Sequence, residues 1–226
     1  MNILIIADVE GASGVDREID VDNGKATRAI ANDLIYLLAG LKKNIAKAYV
    51  WDFHGDENNL TNTFGKNVTV LSHPSLRYLL SLNISKVFLV GFHAKSGTKN
   101  EFMPHTYSYE ISDFKINNKS VGEATLFALL FSEFEIPTVF LSGSFYVAKE
   151  LEDLGLNFKK IITRKNQKIF PVSKVRSEIK SKAKEALSIN NNIIRFKNYK
   201  IDITFKEELA NNFKNSCFLI KSKNTI

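Results

Sequence analysis

The stretch at residues 3–11, I-L-I-I-A-D-V-E-G, constrains this chain more than any other. Ile3, Leu4, Ile5 and Ile6 would present apolar side chains on both faces of an extended strand, the pattern of a strand buried inside a parallel sheet. The run stops at two carboxylates, Asp8 and Glu10, followed by Gly11 and a loop rich in Gly, Ser and Asp. Residues two apart on an extended strand project to the same side. Like charges so placed repel each other unless something cationic sits between them. Two readings follow. Either both carboxylates are solvated where the strand leaves the core, since carboxylates are seldom buried unpaired, or they share a cation.

Further along, apolar runs alternate with amphipathic ones. Strands are expected at residues 45–53, 67–71, 86–92, 137–141 and 160–163, and helices at 25–43, 75–82, 121–131, 145–154 and 173–189. Residues 107–119 alternate as a hairpin turning near Asn117 and Asn118, and β material is expected again at 199–205 and 217–221. This order predicts an α/β fold: a mainly parallel sheet with helices on both faces, plus a smaller α+β C-terminal portion. No Pro/Gly/Ser-rich linker or internal repeat divides the chain. Residues 1–226 are therefore expected to form a single domain, with an α/β core over 1–150 and a basic portion over 151–226.

Composition excludes several function classes. With 44% hydrophobic residues the chain can build a sizeable core, yet no segment reaches the roughly 18 uninterrupted apolar residues of a membrane span. Asp8 and Glu10 interrupt the N-terminal apolar run and no basic segment precedes it, so it does not read as a signal peptide. One cysteine, Cys217, rules out an internal disulfide or a cysteine-built zinc cage. A soluble cytoplasmic protein is the expectation. The net charge of +7 is unevenly distributed: residues 1–150 carry 14 Lys+Arg against 17 Asp+Glu, residues 151–226 carry 17 against 7. In the basic third the lysines interleave with Val175, Ile179, Ala183, Ala186 and Leu187 at helical spacing. That is a helix with a solvated Lys face, without the aromatic platform that single-stranded nucleic acid needs. A nucleotide site at Gly11–Gly14 is disfavoured too, because G-A-S-G lacks the G-x-G-x-x-G form and its acidic neighbours repel phosphate.

Ligands of an open parallel sheet bind beyond the carboxyl ends of its strands. Three of the apolar runs end in metal-competent side chains: the first in Asp8 and Glu10, the second in His54, the fourth in His93. His93 directly follows a buried strand, where an imidazole needs partners for both ring nitrogens. His54 sits in a polar turn that also suits a solvated histidine, flanked by Asp52 and Asp56, of which Asp52 could orient an imidazole or simply shape the turn. His73, before a helix, reads as surface or capping. His105 follows Met103 and Pro104, whose ring fixes the backbone approach. Glu123 has a competing role. Ser120-Val121-Gly122-Glu123 fits a capping box, with Ser120 as N-cap and Glu123 at N3.

Taken in order, D-V-E-G near the N-terminus, D-x-H after a strand, G-F-H-A, a lone histidine a dozen residues on, and V-G-E opening an apolar helix resemble the D-aminopeptidase (DppA) family, the M55 metallopeptidases. The resemblance covers residues 1–150. It implies a two-zinc site in which Asp8 bridges the ions, Glu10 and His93 serve one, His54 and Glu123 the other, and His105 is the catalytic histidine. Three carboxylates and two imidazoles form a hard O/N set that suits Zn²⁺ and admits Mn²⁺ or Co²⁺. The expected function is hydrolysis of the N-terminal residue of short peptides. The preference for D-residues and a ring-like homo-oligomer are implied by the resemblance alone. The competing expectations are another dinuclear metallohydrolase, an amidase or phosphoesterase, and a non-enzymatic binding protein. The sequence departs from the family pattern in a longer segment between His93 and His105 and in its Lys-rich C-terminal third.

Overall fold

The computed structural model describes residues 1–22, 24–54, 60, 64–190 and 193–206. Its first half runs β1 (Asn2–Ala7), α1 (Ile19–Asp22), α2 (Lys25–Leu41), β2 (Lys47–Asp52), β3 (Val68–Ser72), α3 (Leu76–Ser81) and β4 (Ile84–Phe92). The second half runs β5 (Ile111–Ile116), β6 (Lys119–Ser120), α4 (Glu123–Ser132), β7 (Thr138–Ser144), α5 (Phe145–Asp153), β8 (Lys159–Lys165), β9 (Lys168–Ile169), α6 (Val172–Ala186) and β10 (Ile201–Phe205).

The main sheet has the order β3-β2-β1-β4-β7-β8-β9. Its pairs are parallel as far as β8, and β9 folds back antiparallel along the edge. The fully apolar reading of the first strand holds because both of its faces are covered. Ile3 and Ile5 pack with Ala26, Ile30, Leu34 and Leu37 of α2 and with Val175, Ile179 and Ala183 of α6. Leu4 and Ile6 project to the other face, where Leu79 of α3, Phe127 and Phe131 of α4, and Val147 and Leu151 of α5 meet them. A second, antiparallel sheet joins β10, β5 and β6. Its tight turn places Asn117 and Asn118 at φ 50° and 66°, the left-handed pair that a two-residue hairpin requires.

The helix α1 inside the first loop and the edge strand β9 are not foreshadowed by the sequence. At four and two residues both are too short to show a period. The β material expected at 217–221, together with Cys217, lies outside the described residues.

Chain direction positions the site. From β1 the chain crosses to β2 by α2 on one face; from β3 it reaches β4 by α3 on the other. β1 and β4 are neighbours, so the connections diverge between them, which opens a crevice at their carboxyl ends. The two strand ends are stitched together across it. Asp8 N–H donates to the Val90 carbonyl at 2.9 Å and Gly11 N–H to the Gly91 carbonyl at 2.8 Å. β4 shifts register against β7 between Val90 and Phe92, a bulge centred on Gly91. Gly91 has φ 81°, and a Cβ there would lie 2.1 Å from the Asp8 carbonyl oxygen. Bulges re-aim the side chains that follow them, and here the residue two positions on is His93.

Gly91→Ala is expected to lower stability by more than about 1 kcal/mol, since alanine is strained at that φ and collides with backbone. Urea denaturation of the variant beside the parent checks this. An unchanged midpoint would show that the strand ends tolerate separation.

Candidate metal centre

Every residue singled out for metal chemistry converges beyond the carboxyl ends of β1, β2 and β4. Asp8 and Glu10 follow β1, His54 follows β2, His93 follows β4, and Glu123 opens α4. His54 Nδ1 lies 3.3 Å from Asp8 Oδ1 and 3.0 Å from Glu10 Oε2. His93 Nε2 lies 3.5 Å from Asp8 Oδ2 and 3.3 Å from Glu123 Oε2. His105 Nε2 stands 3.8 Å from Glu10 Oε1 and 3.9 Å from Glu123 Oε1. Three overlapping sets have ligand atoms within 4.8 Å of one another: Asp8 with Glu10 and His54, Asp8 with His93 and Glu123, and Glu10 with His93 and His105. Asp8, Glu10 and His93 each belong to two of these sets. Glu10 and His93 share a set, whereas His54 and Glu123 meet only through Asp8.

The donor set fits a divalent cation on three grounds. Asp8, Glu10, His93 and Glu123 are each at most 5% exposed, so the carboxylates are not solvated at the strand exit. Asp8 Oδ2, Glu10 Oε2 and His93 Nε2 are buried without a hydrogen-bond partner, which is costly unless a ligand satisfies them. Finally, the imidazole tautomers are fixed from behind. His93 Nδ1 lies 2.9 Å from the Ala94 carbonyl, which can only accept, so Nδ1 carries the proton and the Nε2 lone pair faces inward. His105 is held in the same way by the Met103 carbonyl at 2.9 Å.

The crowding of charge at the centre sets the protonation of its members. Burial, reinforced by the charge of Glu10, pushes the Asp8 carboxyl up to about 8. Burial also opposes charge on Glu10, but His54 and His93 outweigh it and hold that carboxyl well below its ordinary value. His54 is disfavoured as a cation by burial, yet the carboxylates of Asp8 and Glu10 beside it push it up to about 10. His93 is driven the same way, burial being overcome by Glu123, Asp8 and Glu10. For His105 the balance reverses. Burial and the neighbouring His93 lower its pKa and favour the neutral ring.

The capping box does not form. Ser120 lies in β6, Gly122 is the N-cap of α4, and Glu123 is the first helical residue instead of the third. Glu150, reaching across from α5, takes over the capping. Its Oε1 accepts from the Gly122 N–H at 2.7 Å and from the Thr125 hydroxyl. Glu123 is thereby free to turn toward His93, its Oε1 steadied by the Tyr107 N–H at 2.6 Å. Asp52 does not orient an imidazole by hydrogen bond. Its Oδ2 accepts from the Leu60 N–H at 3.0 Å. Asp56 lies outside the described residues, and His73 sits exposed before α3.

Three features escaped sequence reasoning. Ser13, in the loop after Glu10, donates its N–H to Asp33 of α2 at 2.8 Å, and Arg176 of α6 pairs with Asp33 at 2.9 Å. The Lys-rich third thus contributes an arginine that pins the loop after Glu10. Arg164, at the end of β8, is buried with its guanidinium 4.0 Å above the Phe102 ring, 3.8 Å from Glu101 and 3.5 Å from the Glu10 carbonyl. It ties the loop bearing His105 to the strand end bearing Glu10. Tyr107 and Tyr109 flank the centre on the segment after His105. None of these has a local signal, since each partner lies at least 20 residues away in sequence or depends on an unusual turn.

Comparison with known proteins places the chain in a family. The family model Peptidase M55, described as D-aminopeptidase, matches residues 1–220. The D-aminopeptidase of Bacillus subtilis (strain 168) is 25% identical over 165 residues, which is 68% of this chain and 60% of that protein. The chain thus aligns with less than two thirds of that relative's length. A solved structure described as the "Zn-dependent D-aminopeptidase DppA from Bacillus subtilis, a self-compartmentalizing protease" superposes with a TM-score of 0.79. That superposition covers 95% of this chain and 86% of the other at 21% identity, a likeness of fold.

Because ligation requires deprotonated donors, zinc binding is expected to release protons at pH 7. With Asp8 raised to about 8 and His54 to about 10, protons compete with the cation below these values, so affinity should rise between pH 6 and pH 8. Calorimetric titration with zinc in buffers of different ionisation enthalpy measures both effects. Affinity independent of pH would contradict the assignment.

Proposed function

The chain belongs to the M55 family of D-aminopeptidases, and from that premise we propose that it is a zinc-dependent aminopeptidase removing the N-terminal residue, a D-residue by family, from short peptides. The single observation that carries this reading is the convergence of three buried carboxylates and two imidazoles, among which Asp8 Oδ2, Glu10 Oε2 and His93 Nε2 lack hydrogen-bond partners. Support for zinc comes from that donor set and from the description of the structural relative as Zn-dependent.

In this proposal Asp8, Glu10, His54, His93 and Glu123 would hold two cations, with Asp8 serving both. When bound, such a pair lowers the pKa of a water and polarises the scissile carbonyl. The chain's own residues do the remaining work. The Ala94 carbonyl fixes His93 with its lone pair inward. The Tyr107 N–H fixes Glu123. His105, neutral and with Nε2 turned toward the centre, takes up a proton and hands it to the leaving amine. The same ring, once protonated, stabilises negative charge developing on the carbonyl oxygen.

A homo-oligomer belongs to the proposal, on the strength of the relative's description as self-compartmentalizing. So does action of residues 1–226 as one domain. No helix among the described residues is long and apolar enough to cross a membrane.

Elemental mass spectrometry of the purified protein is expected to find two zinc ions per chain, and Asp8→Asn or His93→Ala to lose at least one. His105→Ala should keep the metal and lose about 10²–10⁴-fold in rate on D-aminoacyl amides. Absence of metal after reconstitution overturns the reading, as does hydrolysis of phenyl phosphate esters without hydrolysis of amides. Light scattering after size-exclusion chromatography tests the oligomer.

A further inference from the structure

His105 is not held by hydrogen bonding alone. Its Nδ1–H reaches the Met103 carbonyl, which anchors one edge of the ring but leaves its two faces to be constrained by packing. The inner face lies against His93, with ring centroids 3.9 Å apart and planes 11° from parallel. The outer face is covered by Tyr109, at 4.5 Å and 28°. The three rings form one stack running from the metal centre outward. Tyr109 is its last member and is 44% exposed.

The backbone is bent unusually to produce this stack. Ser108 N–H donates to the Thr106 carbonyl at 2.8 Å, closing a three-residue turn centred on Tyr107. Tyr107 has φ 62°, which makes this the strained form of that turn, rare for a bulky residue. The Tyr107 N–H, freed by the reversal, goes to Glu123. The reversal brings residue 109 back over residue 105. An extended segment would carry Tyr109 away from the imidazole, since residues four apart on a strand lie on the order of 13 Å apart. Met103, at φ 44°, is a second left-handed residue two positions before His105. Strain of this kind persists where the surroundings over-determine it, and such places cluster at functional sites.

We propose that Tyr109 is the positioning residue for His105, its ring closing the solvent-side face of the imidazole so that Nε2 stays directed at Glu10 and Glu123. The inference rests on the proposed role of His105 in peptide hydrolysis. Without Tyr109 the imidazole keeps its Met103 contact and its inner neighbour but can swing outward. Proton transfer depends steeply on distance and alignment, so the loss falls on the chemical step. The flat ring is what acts, and phenylalanine supplies it equally well.

The test compares the zinc-loaded parent with Tyr109→Ala and Tyr109→Phe. Tyr109→Ala should lose about 10- to 100-fold in kcat, the scale of a misplaced catalytic group, with KM and zinc content little changed. Tyr109→Phe should restore kcat. A readout independent of turnover accompanies these. The rate at which diethyl pyrocarbonate modifies His105, followed by peptide mass spectrometry, should rise several-fold in Tyr109→Ala and stay at the parental value in Tyr109→Phe. An unchanged kcat, or an unchanged labelling rate, in Tyr109→Ala overturns the inference. A raised KM at constant kcat also overturns it, making the ring a substrate-binding surface. Failure of Tyr109→Phe to restore kcat overturns it in favour of the hydroxyl. If the parent hydrolyses no peptide, the proposed function falls, and the labelling rates still decide whether Tyr109 holds His105.

Discussion

Mutual repulsion among Asp8, Glu10 and Glu123 is the constraint on which this structure turns. Three carboxylates buried within a few ångströms of shared imidazoles cannot all be ionised without positive charge between them. Protons on His54 and His93 answer part of that demand, and a raised pKa on Asp8 lessens the negative charge. Divalent cations bound there would supply positive charge more completely and would satisfy the buried oxygen and nitrogen atoms that protein partners leave unmet. The surrounding fold accordingly works to hold like charges together. Gly91 permits the bulge, backbone hydrogen bonds lock the end of β1 to that of β4, and carbonyl oxygens set the imidazole tautomers.

Much of the remainder is support brought in from a distance. Glu150 performs the helix-capping that Glu123 would otherwise do, which leaves Glu123 facing His93. Asp33 and Arg176 fasten the loop after Glu10 to α2 and α6, and Arg164 with Glu101 fastens the loop before His105 to the same strand end. The basic C-terminal third, read from its lysine spacing as a solvated helix, therefore also carries an arginine that braces the centre from behind. Its lysines face solvent while Val175, Ile179 and Ala183 fill the core beside α2.

The sheet was legible because burial on both faces leaves an unmistakable mark, consecutive aliphatic residues without alternation. Helices α2 to α6 were legible from apolar spacing over six or more residues. The short α1 and β9 were not, since each carries only about one period of its pattern. Asp8, Glu10, His54 and His93 were legible as a set for a topological reason: parallel strands all deliver their carboxyl ends to one edge. Glu123 stood between two readings, because a local motif cannot reveal that a residue 27 positions later will cap the helix instead. Tyr109 carried no signal. Its place over His105 depends on the left-handed turn at Tyr107, a residue whose type argues against that conformation.

By itself, the sequence determined which segments are buried, where each apolar run ends, and that its ends bear carboxylates and imidazoles. These are properties of neighbouring residues, set by hydrophobic periodicity and by the unfavourable burial of charge. Only the tertiary structure decided that the carboxylates are buried, which atoms face inward, and which distant residues hold them there. Those outcomes depend on contacts between segments far apart in the chain, whose geometry is fixed when strand order, helix packing and turn strain are satisfied together.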